Sequence, residues 1–143
     1  MAVYLDTSIL IPLFFREPAS LAARERLRKE TKTSISRWTL AEFASAAAFK
    51  IRNGQTDEAT AQQALGKLRT IVANGGLSVA DVIAADFERA AQLCTAHTCG
   101  LRTPDALHAA IADRLKQTVL TCDMGLARGC QYHSIGYETI GAP

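Results

Sequence analysis

The sequence has almost no excess charge, no long apolar run, no closely spaced cysteine pair and no internal repeat. Each absence excludes something. Sixteen Lys and Arg against fourteen Asp and Glu leave a net charge of +2, so the field of the whole molecule is too weak to gather a polyanion. Any nucleic-acid contact must be local. The N-terminal apolar stretch runs only from Ile9 to Phe15, follows Asp6, contains Pro12 and has no basic segment before it. It is far short of the roughly 20 residues of a spanning helix and lacks the form of a secretory signal, so it reads as core, with no membrane partner. Cys94, Cys99, Cys122 and Cys130 show no C-x-x-C spacing, and a chain of 143 residues does not need disulfide staples, which points to reduced thiols in a cytoplasm. A zinc set drawn from Cys94, His97, Cys99, Cys130 and His133 lacks the usual ligand spacing. With 48% hydrophobic and 21% charged residues, and no linker or low-complexity segment, residues 1–143 read as one globular domain.

What is present is an alternation of short β-branched runs with longer helical ones. AVYL predicts a strand that stops at Asp6, with Thr7 and Ser8 placed to cap a helix through ILIPLFF. SLAARERLRKE predicts a helix and KTSIS a strand. WTLAEFASAAAFKIRNG carries Leu40, Phe43, Ala47 and Ile51 at helical spacing and closes on Asn53 and Gly54. Thr56 to Ala73 predicts a further helix ending at Asn74, Gly75 and Gly76, LSVADV a strand, and Ile83 to His97 a helix. RTPDALHAAIADRL opens with Thr103 as N-cap and Pro104 in the first helical position, and TVLT predicts a strand leading to Asp123. A short helix and a last strand near Tyr137 to Ile140 complete the pattern. Such alternation implies an α/β fold, a three-layer α/β/α domain with a mostly parallel central sheet. In such sheets the binding crevice lies outside the carboxyl ends of the strands.

Four acids fall at strand-to-helix junctions. Asp6 and Asp123 sit where apolar strands end, and Glu42 and Asp105 read as first-turn residues of helices. Each has a capping explanation: Thr39-x-x-Glu42 has capping-box spacing, and acids favour helix N-termini through the macrodipole. Yet Thr7, Ser8, Thr39, Thr103 and Thr121 are available for capping, which leaves the acids surplus to it. Two unit charges about 4 Å apart repel by roughly 4 kcal/mol at an effective dielectric near 20, so clustered carboxylates either take up protons or bind cations. A carboxylate-only set suits Mg2+ or Mn2+ rather than zinc, and such ions assist phosphodiester hydrolysis.

The motifs in order resemble those of the PIN-domain ribonucleases, and among them the VapC-type toxins of bacterial toxin-antitoxin pairs. YLDTS is similar to the first-strand motif, with Asp6 and the Ser8 hydroxyl; TLAEF to the helical motif with Glu42; TPDALHAA to the third, with Asp105; LTCDMGLA to the fourth, with Asp123. The resemblance spans nearly the whole chain. It implies an Mg2+- or Mn2+-dependent endoribonuclease acting on single-stranded or structured RNA, a homodimer, and a small cognate antitoxin resembling VapB.

Other residues carry weaker signals. Ser8 reads either as a cap or as a donor to a metal-bound water or phosphate. His108 lies one helical turn after Asp105, where it either packs in the domain or orients that carboxylate. Arg16, Arg24, Arg26 and Arg28 are interleaved with Glu17, Glu25 and Glu30 and read as a solvated helix face. Phe43, Ala44, Ala47 and Ala48 suit close helix packing, in the core or against a partner chain. An aspartyl-phosphate enzyme is a competing class, but it wants a second acid where Ser8 stands, or a Lys after the late strand at Thr121. A non-catalytic RNA- or partner-binding module is the other alternative.

Overall fold

The computed structural model describes residues 2–141. Five strands, β1 (Ala2–Leu5), β2 (Lys32–Ser36), β3 (Ser78–Ala80), β4 (Thr118–Thr121) and β5 (Tyr137–Thr139), form one sheet in the order β3-β2-β1-β4-β5. Every pairing is parallel. The helices are α1 (Thr7–Phe14), α2 (Ser20–Leu27), α3 (Arg37–Arg52), α4 (Glu58–Ala73), α5 (Ala84–Thr95), α6 (Thr103–Leu115) and α7 (Met124–Tyr132). The expected three-layer α/β arrangement is the one observed. None of the helices among the described residues is long and apolar enough to cross a membrane.

Strand alternation sorts the core into two layers, because successive side chains point to opposite faces. Val3, Leu5, Ile35 and Leu120 join Ile9, Leu10, Phe43, Ala47 and Leu68 of α1, α3 and α4. Tyr4 and Val119 join Leu93, Leu107, Ile111, Leu126 and Cys130 of α5, α6 and α7 on the other face. Phe43 is fully buried, meeting Phe14 edge-on and Phe15 at a tilt, and burial of a side chain of that size stabilises by roughly 2–3 kcal/mol. Ala44 and Ala48 are exposed, so only Phe43 and Ala47 of that row serve the core.

Helix starts differ from the sequence expectation in ways that bear on the acids. Asp6 itself caps α1 through the Ile9 N–H, and Asp123 caps α7 through Gly125 and Leu126, so neither cap is Thr7, Ser8 or Thr121. The capping box of α3 is Ser36 with Thr39, which puts Glu42 in the second turn, beyond any capping role. In α6 the N-cap is Arg102, with Thr103 already helical and Pro104 in the first turn. Two boundaries are also tighter than expected: α2 stops at Leu27 and β3 at Ala80. The chain must turn after Leu27 to enter β2, and after Ala80 the backbone leaves the sheet where Asp81 pairs with Arg37.

The topology has one switch point, between β1 and β4. From β1 the chain winds outward to β2 and β3, then crosses back to β4 and β5, so the winding reverses between β1 and β4. At such a reversal the two connections leave in opposite directions and open a cleft at the strand ends. Asp6 follows β1 and Asp123 follows β4.

Candidate active site

Asp6 is the most enclosed of the four acids, at 3% exposure, and both oxygens of its carboxylate accept hydrogen bonds. The Ser8 hydroxyl donates to Oδ1 at 2.7 Å, the Thr121 hydroxyl to Oδ2 at 2.6 Å, and the Ile9 amide to Oδ1 at 3.3 Å. Burial pushes its pKa above the usual carboxylate range, against the opposing pull of these bonds and of His108. Ser8 does more than cap: its oxygen also accepts the Cys122 amide at 2.8 Å, tying the start of α1 to the end of β4. The switch between β1 and β4 is thereby held rigidly.

Glu42 is half-buried and held by two donors on the same oxygen. Thr7 Oγ1 donates to Oε1 at 2.6 Å, and His108 Nε2 lies 2.5 Å from that oxygen. Burial alone would raise the Glu42 pKa, but the bonds from His108 and Thr7 and the charge interaction with His108 outweigh it and lower it. Of the two readings of His108, packing in the domain is the one observed: it is buried, at 2% exposure, and its hydrogen bond to a carboxylate goes to Glu42, not Asp105. Nδ1 of His108 meets the Tyr4 hydroxyl at 2.8 Å, and that hydroxyl also contacts Ser36 at 2.8 Å and Thr39 at 3.2 Å. Sequence reasoning missed Tyr4 and the bond from Thr7 to Glu42. The one available signal was a tyrosine inside a fully apolar strand, whose hydroxyl must find a partner when buried.

Asp123 is exposed, and its Oδ1 accepts Gly125 N–H at 2.7 Å and Leu126 N–H at 3.1 Å. Asp105, in the first turn of α6, is partly buried and has no hydrogen bond among the described residues. Its pKa is pushed up to about 6, first by burial and then by the charge of Asp123, with Asp6 and Glu42 adding and His108 opposing. Asp105 thus feels the other three acids. These acids follow β1 and β4 or lie on α3 and α6, and what joins them here is the charge that Asp123, Asp6 and Glu42 exert on Asp105.

The donor chemistry suits a hard divalent cation, since these are carboxylate oxygens and nothing softer. Glu42 and Asp123 each have one oxygen anchored and the other without a hydrogen bond among the described residues, and both oxygens of Asp105 are without one. The ligand set is not preassembled, however: among the described residues no group of three His, Cys, Asp or Glu side chains stands ready to hold a metal ion. Elsewhere, the four cysteines are all free thiols, and of the residues considered for zinc only Cys99 and His133 meet, at 3.8 Å.

The raised Asp105 pKa predicts a pH dependence. With a folded value near 6 against 3.8 for an unperturbed carboxyl, Asp105 is protonated in both states only well below pH 3.8, where it contributes no penalty. Between pH 4 and 6 the unfolded chain ionises first, so stability falls as pH rises, on the order of 1 kcal/mol after allowing for solvent screening. In EDTA, the melting temperature of Asp105→Asn should exceed that of wild type by a few degrees at pH 7 and by clearly less at pH 4. A variant that melts lower at pH 7 would instead support the helix-dipole role of Asp105.

The sequence profile of the PIN domain family matches residues 3–130. No curated protein sequence matches the chain. Among solved structures, VapBC2 from Rickettsia felis bound to a DNA fragment from their promoter is similar with a TM-score of 0.70 at 21% identity, covering 98% of this chain and 99% of that one. FitAcB from Neisseria gonorrhoeae is similar with a TM-score of 0.73 at 18% identity and 96% coverage of both chains. Mycobacterium tuberculosis VapC20, described as a sarcin-ricin loop cleaving toxin, is similar with a TM-score of 0.69 at 17% identity, covering 87% of this chain and 92% of that one. At these identities the likeness establishes a shared fold.

Proposed function

We propose that this chain, which belongs to the PIN domain family, is a metal-dependent endoribonuclease and the toxin of a toxin-antitoxin pair. The observation that carries the reading is Asp105, an acid without a hydrogen bond among the described residues whose pKa is raised first by burial and then by the charges of Asp123, Asp6 and Glu42 near the β1–β4 switch. Asp6, Glu42, Asp105 and Asp123 would hold Mg2+ or Mn2+. When bound, such an ion supplies charge stabilisation to the phosphodiester and acidifies a water for attack. The chain's own residues do the rest: Ser8 and Thr121 lock the Asp6 carboxylate, Thr7 and His108 lock one oxygen of Glu42, and Asp123 keeps a free oxygen while capping α7.

The substrate in this reading is single-stranded or structured RNA in the cytoplasm, the molecule acts as a homodimer, and a small VapB-like antitoxin inhibits it. The solved neighbours support the class: one is a toxin that cleaves the sarcin-ricin loop and another is VapBC2 on promoter DNA. The unassembled ligand set favours a second reading, a non-catalytic RNA- or partner-binding module. Expression in bacteria tests the toxin assignment. Wild-type chain alone should arrest growth and the Asp6→Asn chain should not; equal growth in both would remove the toxin assignment and leave the nuclease chemistry to be judged in vitro.

A further inference from the structure

We infer that His108, oriented by Tyr4, is a positioning residue that pins one oxygen of Glu42 and reserves the other for the cation, an inference that rests on the nuclease reading above. An ionised carboxylate only accepts hydrogen bonds, so the 2.5 Å contact between Glu42 Oε1 and His108 Nε2 requires the hydrogen to be on Nε2. The other ring nitrogen is held by Tyr4 at 2.8 Å, and Tyr4 is in turn held by Ser36 at 2.8 Å. Ser36 is the N-cap of α3, the helix that carries Glu42.

The bonds therefore close a ring: from the cap of α3 to Tyr4 on β1, to His108 on α6, and back to α3 at Glu42. Glu42 is thereby tied to the strand that leads into Asp6 and to the helix that carries Asp105. Thr7 donates to the same Oε1 at 2.6 Å, so both donors converge on one oxygen and Oε2 has no hydrogen bond among the described residues. Packing alone does not call for this chemistry. Tyr4 is fully buried and His108 nearly so, and two apolar residues of like volume would fill the same space without polar groups to satisfy. What the polar pair adds is a defined direction for the Glu42 carboxylate. Groups that orient a ligand from behind in this way commonly change metal affinity by ~10–100-fold when removed.

The test uses the full chain and two readouts, one independent of any cation. In protein labelled with 15N at histidine and kept in EDTA, His108 should show a strongly downfield Nε2–H proton that moves upfield in Glu42→Gln. Mn2+ titration is then followed by melting temperature in wild type, Tyr4→Phe, His108→Leu and His108→Gln. His108→Leu should weaken Mn2+ binding by ~10-fold or more, and His108→Gln, whose amide can donate to Glu42 and accept from Tyr4, should recover most of it. Tyr4→Phe keeps the ring volume and should show an intermediate loss, which covers the case in which His108→Leu fails to fold. Equal Mn2+ affinity in all folded variants, with the downfield proton present in wild type, overturns the positioning role and leaves the nuclease reading standing. No Mn2+ response in wild type overturns the nuclease reading and this inference with it.

Discussion

Neutralising any one of the four acids, through Asp6→Asn, Glu42→Gln, Asp105→Asn or Asp123→Asn, should lower RNA cleavage by at least ~100-fold, because each change misplaces charge that the transition state needs compensated. Asp123→Asn is the most telling of the four. Asn caps helices about as well as Asp, and the bonds from Gly125 and Leu126 to Oδ1 need only an acceptor, so α7 should keep its start. A lost activity there reports the missing negative oxygen. Asp6→Asn is the least clean, since both carboxylate oxygens accept hydroxyl bonds and an amide nitrogen in place of either meets a donor facing a donor. Single-turnover cleavage of labelled RNA, read beside melting curves, separates the two effects. If any three of the variants cleave like wild type, the site is misassigned.

The second large effect concerns stability. Asp86 is 1% exposed at the start of α5, held by Arg114 from the end of α6 through Nε at 2.8 Å and Nη2 at 2.9 Å, with the Ile83 amide at 3.0 Å on Oδ2. This pair joins the two helices that cover one face of the sheet beside β4. Removing the cation leaves a buried charge with one amide for company, and breaking a buried pair from one side costs about 3–5 kcal/mol. Arg114→Leu should therefore lower the melting temperature by roughly 10 °C for a domain of this length. Adding Asp86→Asn should return part of the loss, because the stranded charge goes with it. Thermal denaturation in a fixed buffer checks both, and a loss below ~1 kcal/mol for Arg114→Leu would show that solvent reaches Asp86 once the guanidinium is gone.

The layered α/β fold was legible because two different periods alternate along the chain, and β1, β2 and β4 lead into helices capped by the polar residues Asp6, Ser36 and Asp123. Asp6 and Asp123 were legible as junction residues and do cap the helices that follow β1 and β4, and Asp105 lies in the first turn of α6, but Glu42, expected in a first turn, lies in the second turn of α3. The individual environments of the four acids were not legible. Spacing made Thr39 and Glu42 look like a capping box, but Ser36 closes the box at the end of β2, and only the end of the strand decides that. His108 reads from sequence as a neighbour of Asp105 on its own helix, whereas its partners, Tyr4 and Glu42, come from β1 and α3. The Asp86–Arg114 pair is hidden in the same way, because two helices must pack before it exists. Sequence periodicity reports which face is apolar. It does not report which polar group across the sheet will meet a buried hydroxyl.

The measurement that bears most directly on the central claim is incubation of the pure chain with mixed single-stranded RNA in Mn2+, in EDTA, and in EDTA followed by excess Mn2+, with Asp105→Asn in parallel. The account predicts a cleavage ladder in the first and third conditions, none in the second, and at least ~100-fold less product from Asp105→Asn in the first and third. RNA that binds and stays intact in every condition, or a ladder indifferent to EDTA and to Asp105, would contradict it.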